Sequence, residues 1–159
     1  MHPHNSVNVT GGTQIQRQLA YDLVEHCVDQ MLPRHRTLWI EVELKKIPDK
    51  DKVVGYCQDD GDNMFTIEID KTQNAYDFML TVCHEMVHVK QTVRKQLTEK
   101  NLTHFWYGKQ HNDRRNEPWE LEAWRLQKPL THSYIKQTKR TIKHIKSLTM
   151  VTKECIIRV

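Results

Sequence analysis

Apolar residues from Ile15 to Met31 fall at Ile15, Leu19, Leu23, Val24, Cys27, Val28 and Met31. Steps of three and four describe one stripe of a helix. Thr13 stands where an N-cap is wanted, and Pro33 closes the segment. From Thr37 to Lys45 the period changes to two. Leu38, Ile40, Val42 and Leu44 point one way; Trp39, Glu41, Glu43 and Lys45 point the other. That alternation predicts a half-buried strand. Val53–Cys57 predicts a second strand, and Gln58–Asn63, rich in Asp, Asn and Gly, a turn. Met64–Asp70 alternates again, with Phe65, Ile67 and Ile69 as its buried set. Short turns between strands imply a small, partly antiparallel sheet.

A long helix is predicted from about Asn74 to Leu97. Its apolar line is Phe78, Met79, Val82, Met86, Val89, Val93 and Leu97. Residues 98–118 show no period and read as an irregular aromatic segment. Pro118 suits the first turn of a short helix ending at Lys128, which Pro129 should stop. Ser133 to about Leu148 carries Ile135, Ile142, Ile145 and Leu148 on one side and lysines on the other, an amphipathic basic helix. Residues 149–159 end in Val151 and Ile156-Ile157, a docked terminal segment or strand.

The predicted fold class is α+β. An N-terminal helix leads to a three-stranded mixed sheet, then a long helix and two C-terminal helices. At 159 residues one domain is expected. Residues 1–12 read as a floppy leader, 13–130 as the domain proper, and 131–159 as a basic extension packed on it.

Composition narrows the classes. Cys27, Cys57, Cys83 and Cys155 form no C-x-x-C pair and suggest no disulfide framework. No apolar run approaches a membrane span and no signal peptide is visible. A reduced, cytoplasmic protein is expected, with no membrane partner and a monomeric state. From residue 128 onward eight Lys/Arg face one acid, Glu154, a balance of +7. The total is +4, so residues 1–127 carry −3. Such a basic helix is a solvated face, a nucleic-acid contact through phosphate attraction, or a tail packed across a cleft.

The chemistry lies in His84-Glu85-Met86-Val87-His88, which reads H-E-x-x-H. On a helix, i and i+4 share a face, so His84 and His88 can present two imidazoles to one ion. Glu85 sits about 100° round the axis, able to reach a water without ligating the metal. The phase puts both His off the core stripe of Val82, Met86 and Val89. Catalytic zinc sites use three protein ligands and keep one position open. Glu120, on the short helix, is the favoured third ligand; His104, Glu117 and His111 are the other candidates.

Together with His104-Phe105-Trp106-Tyr107-Gly108 and Pro118-Trp119-Glu120-Leu121-Glu122-Ala123, the motif resembles the gluzincin metallopeptidases, closest to the minimal single-domain ones of archaea, bacteria and phages. The resemblance covers roughly residues 15–128. It implies a zincin-like fold, Zn2+ held by His84, His88 and Glu120, and Glu85 as general base in peptide hydrolysis. A phage-encoded member would act in its host's cytoplasm, and a C-terminal tail can keep such an enzyme latent. Larger gluzincins often place Asp after the small residue corresponding to Ala123; here it is Trp124, so Glu122 is a candidate to support a histidine instead. The resemblance also implies an oxyanion donor, for which His104, Tyr107, His111 and Tyr134 are candidates. A peptide or protein substrate is expected along an exposed edge strand, assigned to Met64–Asp70, where Glu68 and Asp70 would favour basic side chains. Two other assignments are a SprT-like DNA-associated protease with His104 as third ligand, and a non-catalytic zinc-binding module.

Overall fold

The alternating strand at Thr37–Lys45 becomes β2 (Trp39–Lys45), with Ile40, Val42 and Leu44 buried as its period requires. In the computed structural model, which describes residues 4–113 and 115–148 with side chains through residue 140, β2 lies inside a four-stranded sheet. The order is β1 (Ser6–Gly11), β2, β4 (Met64–Asp70) and β3 (Gly55–Gly61). β1, β2 and β4 are parallel; β3 runs antiparallel to β4. One face is covered by α1 (Gln14–Met31) and α2 (Ala75–Val93). Leu23, Val24 and Cys27 of α1 meet Ile40, Val42, Phe65 and Ile67 of the sheet and Phe78, Val82 and Met86 of α2 in one cluster. The mixed α+β class holds, and no described helix is long and apolar enough to cross a membrane. Cys27, Cys57 and Cys83 are free thiols.

The leader expected over residues 1–12 is corrected: Ser6–Gly11 is β1, paired along its length with β2. Only Val7 and Val9 pack against the core, too short an alternation to stand out beside polar neighbours. Gly11 ends the strand at φ 77°, where an added Cβ would lie 2.1 Å from the carbonyl oxygen of Leu44. Thr13 then caps α1 as expected, accepting from the Gln16 amide while the Gln16 side chain returns to the Thr13 amide.

The sheet therefore has four strands, not three, and a second sheet replaces the irregular segment. It is an antiparallel meander of β5 (Leu97–Lys100), β6 (Thr103–Trp106) and β7 (Lys109–Gln110). Its turns, Asn101-Leu102 and Tyr107-Gly108, have both central residues at positive φ, the geometry that suits a strand's right-handed twist. Leu102 and Tyr107 rarely adopt it, which hid the hairpins. The β3–β4 turn, Asp62-Asn63, has the same form. β3 is displaced relative to the expected Val53–Cys57, and α2 stops at Val93 rather than Leu97.

Pro129 does not stop a helix. α3 runs unbroken from Pro118 to Leu148 with Pro129 inside it. Pro129 is exposed, so water can serve the carbonyl group left without its helical donor, while Leu130 and Thr131 beyond it are buried. The boundary drawn at residue 130 thus cuts through one packed helix. The expected segment at residues 149–159, including Cys155, lies outside the described residues.

A candidate metal centre between two helices

α2 turns Phe78, Met79, Val82, Met86 and Val89 into the core. The same phase leaves His84 and His88 one turn apart at a cleft wall, their rings 5.0 Å apart. α3 crosses α2 there and brings in Glu120 from its first turn. His84 Nε2 lies 3.1 Å from Glu120 Oε2, and His88 Nε2 lies 3.2 Å from Glu120 Oε1. One donor atom from each residue falls within 4.8 Å of the others. Donors sharing one tetrahedral zinc ion at its usual bond lengths sit about 3.3 Å apart, so the spacing fits.

The hydrogen-bond pattern sharpens the fit. Gln91 is fully buried, and its amide nitrogen donates to Trp119 O and to Glu122 Oε2, both at 2.9 Å. Its oxygen is thereby turned to His88 Nδ1 at 2.9 Å. Nδ1 must donate, so in the neutral imidazole Nε2 faces Glu120 with a lone pair. Gln127, also buried, presents its oxygen to His84 Nδ1 at 3.0 Å and favours the same tautomer. Two imidazole lone pairs and a carboxylate then converge as acceptors. A cation among them resolves the repulsion, and a proton is the weaker substitute. His84 and His88 draw the Glu120 carboxyl well below the usual carboxylate range. Burial lowers the His88 pKa, but Glu120 and Glu85 more than offset it and leave it raised.

Glu85 is 6 % exposed, and its carboxylate accepts no hydrogen bond among the described residues. Burial raises its pKa, with the charges of His88 and His84 opposing. Its oxygens open on a cleft of about 1370 Å³ that runs past His84, His88 and Glu120. Gly55 of β3 backs it closely: a Cβ there would lie 2.7 Å from Glu85 Oε1 and 2.8 Å from Thr81 Cγ2.

Of the other candidate ligands, His104 lines the cleft but stacks against Trp119 and faces Glu99 at 3.4 Å, outside the donor group. His111 packs on Trp119 and reaches the Asp113 carbonyl. Glu117 is outside the group as well. Of the four oxyanion candidates only His104 borders the cleft. Tyr107 is tied to Gln96, and Tyr134 stacks on His26 between α1 and α3. Glu122 touches neither histidine. It reaches His88 only through Gln91 and pairs with the buried Lys90 at 2.8 Å. Trp124 sets its edge against the His84 ring, 5.1 Å away, and is 63 % exposed to the cleft.

Sequence reasoning missed Gln91, Gln127, Lys90 and Gly55. A faint signal existed for the amides: Gln91 follows His88 by three, and Gln127 follows Glu120 by seven, each on its ligand's face. Comparison of the chain with protein-family models, with curated proteins and with solved structures gives no match.

Proposed function

We propose that the protein is a zinc-dependent metallopeptidase of zincin-like fold that hydrolyses peptide bonds, with His84, His88 and Glu120 holding the ion. The observation that carries this reading is the pairing of an acceptor-only donor set with a buried, unpartnered carboxylate in one open cleft. Two imidazoles and a carboxylate suit zinc, and three protein donors are the catalytic complement. When bound, zinc supplies Lewis acidity toward a water and a scissile carbonyl. Glu85 takes the proton from that water on its carboxylate and hands it to the leaving amine. Gln91 and Gln127 hold the two imidazoles in the tautomer that leaves Nε2 free.

β3 is the substrate-side strand of this reading. β4 is central, paired on both sides, so it cannot take the role expected for Met64–Asp70. β3 ends the sheet, and Gly55, Tyr56, Cys57 and Asp59 line the cleft. An extended peptide can pair with its free edge. Glu68 is paired with Lys45 and Asp70 with Lys46 and Thr72, so neither supports a preference for basic residues.

The purified chain should contain one zinc per molecule by elemental analysis and cleave an unfolded protein substrate. A chelator such as phenanthroline should abolish cleavage, and added zinc should restore it. Cleavage indifferent to the chelator would overturn the reading. Stoichiometric zinc with no cleavage would identify a non-catalytic zinc module. Gly55→Ala should leave zinc content unchanged and lower the hydrolysis rate by about 10- to 100-fold, because displacing a catalytic group by a fraction of an ångström is costly. An unchanged rate in a folded variant would show that Glu85 tolerates the displacement.

A further inference from the structure

The outer face of α3 has no role in the cleft chemistry. Between Lys128 and Leu148 the sequence holds six Lys/Arg and no acid. At 100° per residue, His132, Lys136, Lys139 and Arg140 share an arc of about 100° on the helix. All four are exposed. Lys136, Lys139 and Arg140 enter no ion pair among the described residues, whereas Lys45, Lys46 and Lys90 are each paired. The spacing continues in sequence with Lys143 and Lys146. On the opposite side Leu130 and Tyr134 pack against the core, while the partly buried Ile135 borders the cationic row and lines a groove with it.

We infer that this face docks on the phosphate backbone of double-stranded nucleic acid. A row of cations with no ion-pair partner among the described residues, on one face of a helix, supplies the sequence-independent attraction that polyphosphates receive. Two features favour a duplex over the other polyanions. A helix that lies in a membrane surface must offer an apolar face to the lipid, and over residues 126–135 the apolar residues Leu126, Leu130, Tyr134 and Ile135 of α3 pack against the core. Single strands are gripped by stacking on aromatic rings. Of the rings among positions 128–140, Tyr134 is half-buried against the core and His26, and His132 is held by Tyr76. Binding is therefore independent of sequence and steeply sensitive to salt. The inference does not depend on the peptidase reading.

The test uses the full chain with a labelled 20-base-pair duplex, followed by fluorescence anisotropy at several salt concentrations. Five contacts from Lys136 to Lys146 predict a slope of log K against log salt of about −4.5, which is about a 500-fold loss of affinity between 50 and 200 mM. Lys136→Gln/Lys139→Gln/Arg140→Gln should make that slope shallower by about 2.7 and leave zinc content unchanged. Lys136→Arg/Lys139→Arg should bind as the parent does. Two unrelated duplex sequences should bind alike. Absence of duplex binding at 50 mM salt would overturn the inference. So would equal binding by the triple-Gln variant, or binding to phosphatidylserine vesicles or single strands in preference to the duplex.

Discussion

Glu85→Gln is expected to keep one zinc per chain and to lower peptide hydrolysis about 1000-fold, within the range that a positioned acid–base group contributes. Gln has the shape of Glu but cannot take up a proton. Because Glu85 lies outside the donor group of His84, His88 and Glu120, its replacement should not loosen the ion. The carboxylate is buried, touches no hydrogen-bond donor among the described residues and is backed by Gly55. It is a poor structural feature and a suitable proton carrier. Elemental analysis and steady-state kinetics check both halves. A fall in kcat with KM little changed is expected. Loss of zinc on Glu85→Gln would make Glu85 a ligand, and full activity would remove it from the chemistry.

The second large effect is expected at Gln91, where three hydrogen bonds meet in a fully buried amide. Gln91→Leu keeps the volume and removes the amide. Trp119 O and His88 Nδ1 lose their partner, and Glu122 is left with Lys90. Unsatisfied buried groups of this kind should lower stability by about 3 kcal/mol. The freed His88 can flip or change tautomer, so zinc affinity should fall about 10- to 100-fold. Urea denaturation of the metal-free chain measures the first quantity, and competition with a chelator of known affinity the second. A stability loss with unchanged zinc affinity would confine Gln91 to a structural role.

The donor set was legible because a helix converts sequence spacing into direction. His84 and His88 differ by four, and both stand off the stripe of Val82, Met86 and Val89. Glu120 was harder, since nothing in the spacing says that α3 crosses α2 at His84. What escaped notice had a weak local signature or none. β1 carries only two apolar residues, and its pairing with β2 crosses the whole of α1. The meander turns on Asn101-Leu102 and Tyr107-Gly108, not on the usual Asn-Gly. Pro129 reads as a helix breaker, yet α3 continues because the proline faces water. Gln91 and Gln127 look like surface amides until the opposing helix is in place. Gly55 shows its importance only through the atom that a side chain would strike.

The split of the donor set between α2 and α3 has a consequence for the order of assembly. A chain emerging from the ribosome presents β1 to β4 and α2 first, with both imidazoles in place on one helix face. The acid arrives more than thirty residues later, at the start of the last described element. Until α3 docks, His84 and His88 would lack the third member of the donor set. On the proposed reading, capture of an ion by all three side chains would therefore coincide with the docking of α3, and the complete donor set would not exist on a half-made chain.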